Sequence, residues 1–593
     1  MNPKDPLRRV LYIDLTRKKY WVEDRRDLFE EYLGGAGVAI RLLKEELPRG
    51  ADPLGPENVI VFAVGPLSGL YPTASKTVAM FKSPHTGNLG ESHAGGRSAV
   101  AIRLAGYGAI VIKGASETPV WVAVHDGRVY FRDARALWGM TSSHTVGRII
   151  RENERGAGFR TIMRIGRAGE RLVTYASVIT ETYRHFGRLG LGAVFGSKKL
   201  KALVVSGRRS IPIANKKAYR EVYNEIFNVI VSSPLMKKYH DLGTPMNVLV
   251  LNKIGALPTK NLKESKYDLA EAVSGERLAE GYLGRRLACA HCPVACIHLA
   301  ALREPYVDEP YFYKTTFIGY DYEPIFALGT MLGARNPEDM LRLIDKVDRL
   351  GLDAMSTGVV LAWATEAYER GLIGEDELLG VKLEWGNYEA YMKAVDLIVE
   401  QPNEFYAALA RGAEYAAKKY GGLDFALTFG GNEMAGYHTG PAAYFGLMIG
   451  SRHSHLDNGG YSFDQKTIGK KLAPREVVES LVKEERWRQV LSSLVVCFFA
   501  RGVYKPEVVL KALNALGYDF TEEDLRDLGR KIHLEKYSLK LREGFNLDEL
   551  RIPRRILEIP SPHGLIDESY LKEMISIFKD MITAELKEFG DVK

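Results

Sequence analysis

Over the first two hundred or so residues the apolar positions come in short runs spaced as strands space them. Arg9-Val10-Leu11-Tyr12-Ile13-Asp14-Leu15 and Lys19-Tyr20-Trp21-Val22-Glu23 alternate with period two, which predicts a hairpin. Val59–Val64, Thr77–Phe81 and Leu200–Val205 are compact apolar runs of strand length. Val120–Val124 and Val129–Phe131 flank Asp126-Gly127, a dipeptide suited to a two-residue hairpin turn. Glycine is dense here, in Gly34-Gly35-Ala36-Gly37, Gly95-Gly96 and between Gly187 and Gly196. Most of these read as turns in a β protein; some mark places where backbone comes close to a ligand.

Near Pro212 the period lengthens to that of a helix. Lys216–Val231, Pro337–Leu350, Ala354–Arg370, Tyr388–Val399 and Asn403–Lys419 carry helical spacing. Pro337 and Asp339 suit a helix start and Gly351 a stop. After Leu427, glycine-rich loops precede further helices at Glu476–Phe499 and Lys505–Ala515. The expected class is α+β: a β-rich domain over residues 1–212, a helical domain over 213–426 and a mostly helical C-terminal domain over 427–593.

Composition changes this picture little. At 46% hydrophobic and 26% charged residues, the chain is an ordinary globular protein. No apolar run reaches the ~18 residues of a membrane span, and the start lacks an apolar signal core. A cytoplasmic protein is expected, in which cysteines serve as metal ligands more often than as disulfides. The net charge of +7 is too mild to announce nucleic acid. It suits steering of a small acidic protein partner, although a mixed solvated surface is the plainer reading. Neither a P-loop, nor Gly-x-Gly-x-x-Gly, nor His-Glu-x-x-His occurs, so nucleotide-triphosphate, Rossmann and zincin chemistry have no motif.

Cysteine is where chemistry enters. Three of the four cysteines lie in Cys289-Ala290-His291-Cys292-Pro293-Val294-Ala295-Cys296, and the fourth is Cys497 in a distant apolar run. A Cys-x2-Cys-x3-Cys knot plus one remote thiol supplies the four ligands of a [4Fe–4S] cluster. A four-cysteine zinc site is a second reading, though zinc ribbons usually pair two Cys-x2-Cys knuckles. Four unrelated buried thiols are the bland one. Other stretches combine glycine with polar groups: Lys82–Gly87 with His93-Ala94-Gly95-Gly96, and the segment from Arg184-His185-Phe186-Gly187-Arg188 to Lys198. Two arginines in such a segment can clamp a phosphate or a polar heterocycle. Asp348-Arg349-Leu350-Gly351-Leu352-Asp353, Gly319–Pro324 and Arg452-His453-Ser454-His455 complete the set.

Taken with the cysteines, these motifs resemble the aldehyde ferredoxin oxidoreductase family of tungsten-pterin enzymes, over essentially the whole chain. The resemblance implies a β-rich base cradling two pterins, with helical domains covering them. It implies one tungsten, or molybdenum, held by the pterin dithiolenes, and a [4Fe–4S] cluster on Cys289, Cys292, Cys296 and Cys497. A magnesium ion would bridge the pterin phosphates. The implied cofactor contacts are Lys76, His93, Gly95, Arg184, His185, Gly187 and Arg188, with the two histidines acting through main-chain carbonyls. Asp348, Leu352 and Asp353 match one pterin motif, Arg452 lies near the site, and Ser492 and Val496 fall in the second motif. There Ser492 stands where the family usually has a carboxylate. Glu323 and His455 are the implied acid–base pair, with His453 the competing histidine. Tyr320, Tyr322, Tyr437 and His438 are further pocket candidates or, more plainly, core aromatics. The family's interfacial-iron register gives Arg342, Asp345 and Asp348, so no iron of that kind is expected. The implied reaction oxidises a small aldehyde to its acid and delivers electrons to ferredoxin or another iron–sulfur acceptor. The chain would act as a homodimer or within a larger complex. Two alternatives stay open: a subunit of a complex that reduces a carboxylate or aromatic thioester, and a non-enzymatic binding protein stapled by zinc.

Overall fold

The computed structural model describes residues 1–590 apart from Asp126, Arg155 and Ala157, with Thr182 described without its side chain. β1 (Arg9–Asp14), β2 (Lys19–Asp24), β3 (Ile60–Ala63), β4 (Thr77–Lys82), β5 (Leu89–Ala94) and β6 (Ala109–Lys113) form one sheet, ordered β2-β1-β6-β3-β4-β5. β1 and β6 are parallel and the other neighbours antiparallel. β3 and β4 are buried along their whole length. The helix Gly35–Glu46 packs on them, while Phe62 of β3 meets Phe186 and Phe195 edge-on at 5.4 and 6.2 Å. That double burial is why these runs read as continuously apolar. β2 is the exposed edge, its Trp21 stacked on Tyr12 at 5.1 Å.

β7 (Val120–His125), β8 (Arg128–Asp133), β9 (Phe159–Ile165), β10 (Val178–Ile179), β11 (His185–Phe186) and β12 (Leu200–Gly207) form the second sheet, ordered β11-β10-β9-β12-β7-β8. β7 and β8 pair from Val120↔Asp133 to His125↔Arg128, as the expected hairpin requires. Asp126 of its turn lies outside the described residues.

The rest is mainly helical. Pro337–Leu350 starts on the side chain of Asn336 and stops at Gly351, whose φ of 79° is left-handed. Three expectations need correction. Asn403–Lys419 is two helices, Glu404–Leu409 and Ala413–Tyr420, because Gly412 at φ 100° breaks the run. Glu476–Phe499 ends early: the helix is Pro474–Ser493, and Cys497 sits in the turn beyond it. Val496 N–H bonds back to Leu491 O at 3.0 Å with Val495 left-handed at φ 56°, a Schellman end that the apolar run concealed. The middle region also holds a sheet that helical spacing did not predict. β13 (Leu283–Leu287), β14 (Ile297–Pro305) and β15 (Tyr313–Tyr320) are antiparallel in that order, and the cysteine knot is the β13–β14 connection.

The cores cross the chain order. One joins residues from 248 to 482 with Leu534–Leu586 and a few from Ala168–Ala176. The other joins the first sheet to Val490–Leu539. The segment bearing Cys497 is therefore built into the β-rich region. Gly34 and Gly35 allow this: a Cβ on Gly35 would fall 2.1 Å from Ser492 O, and one on Gly34 would fall 3.2 Å from Ser493 O. Among the described residues no helix is long and apolar enough to cross a membrane.

Candidate active site

The main chain of Thr73 joins the four cysteines. Its N–H donates to His291 O at 3.0 Å, and its carbonyl accepts from Cys497 N–H at 3.0 Å. Ala290 N–H donates to Gly96 O at 2.9 Å. Within the knot, His291 and Ala295 are left-handed at φ 57° and 52°, which turns the chain twice around its thiols. All four thiols are free and partly buried. Burial pushes the Cys292 thiol up to about 12, against the Val294 N–H, with Cys289 and Cys497 adding to the rise. Burial and then Cys497 raise Cys296 in the same way. Bound metal would remove those protons, which an apolar setting otherwise retains. Among the described residues no three His, Cys, Asp or Glu side chains close on one ion-sized point. A four-iron cube is held at separate corners, so its thiols need no such convergence.

Beside the thiols lies a cavity of about 360 Å³. Lys76, His93 and Gly95 line it from β4, β5 and the adjoining loops, and Arg184, His185, Gly187 and Arg188 from the segment through β11. Glu323, Arg452 and His455 close it from the helical side, and Val496 and Cys497 from the turn after Ser493. Gly95 separates cavity from cysteines: a Cβ there would lie 2.8 Å from Cys289 Sγ and 3.3 Å from Lys76 Nζ. At Gly187 a Cβ would meet nothing within 4 Å, so its surface is open.

The remaining expected residues stand behind this lining. Asp353 caps the helix Ala354–Glu369 and ion-pairs with Arg188 Nε at 3.1 Å. Asp348 Oδ1 lies 3.4 Å from His185 Nε2, and burial, with Asp345 next, keeps its pKa well above the ordinary value. Leu352 is buried and bridges to Ala176. Ser492 is buried at its helix end and does not line the cavity.

Several buried polar atoms of the lining have no hydrogen-bond partner among the described residues: Arg184 Nε, His185 Nε2, Arg188 Nη1, Asn432 Oδ1 and His455 Nδ1. Unfilled guanidinium donors around a closed space fit an anionic, heteroatom-rich occupant such as a pterin phosphate. The residues present therefore fit both groups that the resemblance implied.

Glu323 and His455 meet across the cavity, Oε1 to Nε2 at 3.1 Å, out of hydrogen-bond alignment. Burial lifts Glu323 to about 7, against Tyr437, the Gly436 N–H and Arg188. Burial, then Arg188 and Arg452, hold His455 down at about 3, so it is neutral. His453 is turned away: it is 1% exposed, with Nδ1 on Leu447 O at 2.9 Å and Nε2 on Lys540 Nζ at 2.9 Å. Of the four aromatic candidates only Tyr437 lines the cavity, stacked on Tyr461 at 4.1 Å. Tyr320, Tyr322 and His438 belong to the interior. Sequence reading missed Asn432, Asp321 and Glu91, all in the lining. Glu91 ties down the His93 ring at 2.7 Å and pairs with Lys536 at 2.5 Å. Its signal was a lone carboxylate two positions before His93, on the same strand, Leu89–Ala94.

A buried polar cavity with unfilled cationic donors, set against four thiols, is suited to anionic cofactors. The family model "Aldehyde ferredoxin oxidoreductase, N-terminal domain" matches residues 10–207, and "Aldehyde ferredoxin oxidoreductase, domains 2 & 3" matches 221–585. Tungsten-containing aldehyde ferredoxin oxidoreductases of Thermococcus kodakarensis and Pyrococcus furiosus are 33% and 34% identical to the chain, each over 94% of it and 92% of the relative. The WOR-like subunit of an aliphatic sulfonate oxidoreductase from Pyrococcus furiosus is 30% identical, over 90% of this chain and 86% of its own. The active-site complex BamBC of benzoyl coenzyme A reductase shares the fold, with a TM-score of 0.77 at 21% identity, over 98% of this chain and 99% of that one. The chain belongs to the aldehyde ferredoxin oxidoreductase family and is an enzyme of it.

Proposed function

We propose that this enzyme oxidises a small aldehyde to its carboxylic acid in the cavity at Glu323 and His455, and passes the electrons to a ferredoxin-type iron–sulfur acceptor. The observation that carries the reading is the Glu323–His455 contact at 3.1 Å, with Glu323 lifted to about 7 inside a cavity adjoining Cys497. Arg184, Arg188 and Lys76 would hold the phosphates of two pterins, and Asp348 and Asp353 would support one pterin from behind. Cys289, Cys292, Cys296 and Cys497 would hold a [4Fe–4S] cluster. When bound, a tungsten bis-pterin centre supplies the two-electron acceptor and the cluster the one-electron outlet. Magnesium would neutralise the facing phosphates.

The reaction, aldehyde plus water to acid, releases two electrons and two protons. A carboxylate titrating near neutral pH can take a proton from the attacking water. Tyr437 and the Gly436 N–H orient Glu323, the latter donating to Oε2 at 3.4 Å. Neutral His455 can donate to or accept from the substrate oxygen through Nδ1, which has no partner among the described residues. The apolar share of the lining, including Leu189, Met355, Phe498 and Phe499, excludes water and favours a small apolar aldehyde tail.

The test is metal analysis and anaerobic aldehyde-dependent dye reduction on one preparation. Tungsten or molybdenum with four irons per chain, and acid formed in step with dye, are expected. Zinc as the only metal, with no turnover, would return the chain to the four-cysteine binding protein. Cys497→Ala should abolish the cluster's broad visible absorption.

A further inference from the structure

A second, separate cavity of about 320 Å³ lies against the outer helix of the second sheet. Its chemistry-bearing walls are His144, Arg148 and Arg151 from the helix Ser143–Asn153, Arg164 from β9, and Glu181 and Tyr183 from the segment before β11. None of them lines the catalytic cavity.

The telling group is Arg164, which is 6% exposed. Among the described residues its hydrogen bonds go only to carbonyls, from Nε to Ser143 O at 3.0 Å and from Nη1 to Ile162 O at 3.4 Å. Among the described residues no carboxylate lies within the 4.0 Å of an ion pair to Arg164 or Arg151, and Arg148 reaches Glu152 only at 4.0 Å on the surface. A buried guanidinium with no carboxylate in ion-pair contact is costly, so such a group marks a place that an anion completes. Burial lowers Arg164 to about 10, against the more distant charge of Glu181, which leaves it charged at neutral pH. Glu181, the one carboxylate of the lining, is engaged by the sheet: it accepts from Thr161 Oγ1 at 2.7 Å and Ile162 N–H at 2.8 Å. Three guanidinium groups against one carboxylate leave the lining net positive by two.

The space is shaped for this charge. Gly147 faces the guanidinium, and a Cβ there would fall 2.8 Å from Arg164 Nε. His144, Arg148 and Arg151, at i, i+4 and i+7, share one helix face. Tyr183 holds a left-handed φ of 55°, a strained conformation for a bulky residue, and places its ring 5.5 Å from His144. Burial, with Arg164 and Arg349, keeps His144 at about 4, so the imidazole is neutral and can donate to an oxyanion.

We propose that this cavity is an oxyanion site that takes a phosphoryl group, either as free phosphate or as the terminus of a phosphorylated small molecule, clamped by Arg164, Arg151 and Arg148. Planar forks against tetrahedral oxygens are the geometry arginine supplies and lysine does not.

Calorimetric titration of the full-length, cofactor-loaded enzyme tests it. Inorganic phosphate, pyrophosphate and ADP would each be added at fixed ionic strength, with chloride as control. One site per chain is expected, with a dissociation constant at or below about 1 mM for at least one probe. Equal affinity for all three identifies free phosphate as the ligand; pyrophosphate or ADP binding about tenfold tighter identifies a phosphorylated molecule. The surface double variant Arg148→Ala/Arg151→Ala, which leaves the core and the catalytic cavity untouched, should weaken binding about tenfold or more. Arg164→Lys should do the same with the charge retained. Unchanged affinity in the double variant, or no saturable binding of any probe, overturns the proposal.

Discussion

Two buried histidine–carboxylate pairs flank Arg188 and have opposite chemistry. His85 Nε2 lies 2.8 Å from Glu433 Oε2; His455 Nε2 lies 3.1 Å from Glu323 Oε1. Glu433 also accepts from the Ser356 hydroxyl at 2.6 Å and the Ala413 N–H at 3.0 Å. Burial alone would push it up, yet His85 and these fixed donors hold it at about 2. Glu323 receives only a 3.4 Å N–H from Gly436 and the Tyr437 hydroxyl, so burial prevails and it rises to about 7. His85 Nδ1 is bonded to Thr174 Oγ1 at 2.8 Å, whereas His455 Nδ1 has no partner among the described residues. Glu433 is closed off from solvent, whereas Glu323 keeps 19% of its side chain open to the cavity, and the two differ in the histidine's charge and in the number of fixed donors. A saturated pair locks a fold, and an unsaturated pair can exchange a proton with something that enters.

The largest effect should come from exchanging that difference. Glu323→Gln keeps size and polarity but removes the basic site, and should cost about 10²–10⁴ in turnover with tungsten and iron content unchanged. A proton-transfer loss lowers kcat and kcat/KM together. Glu433→Gln should leave the residual enzyme's pH profile as it was and act on stability instead. Near-normal turnover of fully metallated Glu323→Gln would make the two pairs equivalent and remove the acid–base assignment. His455→Ala should lose rate, and His453→Ala, out of the cavity, should lose stability without a change in KM.

Arg188 acts on both pairs, donating to Glu433 O at 2.8 Å while its charge, without contact, lowers Glu323. Its Nη1 is unfilled. Arg188→Ala removes a charge-assisted bond to the implied cofactor, about 1.5–3 kcal/mol, or roughly ten- to a hundredfold in occupancy. Tungsten should fall while iron, held by thiols elsewhere, stays. Equal loss of both metals would mean that the substitution unfolds the region and says nothing of the cofactor.

The rate should follow the proton on Glu323. Below about 7 the carboxyl is protonated and a poor base, so kcat/KM should rise about tenfold per pH unit up to about 7 and then level. Glu323→Gln should flatten that limb. A limb that survives the substitution would place the titrating group elsewhere.

Much of this was legible before any coordinates, but unevenly. The cysteine spacing and the paired Arg184 and Arg188 stood out by residue type and Glu323 only through the family resemblance, and the structure brings Cys497, Arg184, Arg188 and Glu323 to one cavity. The choice between His453 and His455 was not legible: two positions apart in a loop, they face opposite ways because His453 is left-handed at φ 54° and bonded to Leu447 O. Thr73 was invisible because it acts through its main chain. β13–β15 hid because β13 is polar and exposed, with none of the alternation that a half-buried strand shows. Glu433 and His85 were passed over for a related reason: 348 residues apart, they carry no local signal.

The smallest effect is on stability, and its sign differs between the pairs. Glu433 is lowered from 4.5 to about 2, so it stabilises the fold above 4.5 and that contribution is lost as pH falls towards 2. Glu323 is raised from 4.5 to about 7, so its contribution is full below 4.5 and is lost as pH rises through 7. Each shift corresponds to about 3 kcal/mol between its limits. In a chain this long, that is a few degrees at most in melting temperature. Melting curves from pH 3 to 8 should therefore show two slopes of opposite sign in separate windows. Glu433→Gln should flatten the acid slope and leave the neutral one, and Glu323→Gln should do the reverse. If either substitution flattened both slopes, the two carboxylates would titrate as one coupled system through Arg188, and the division between a structural and a reactive pair would fail.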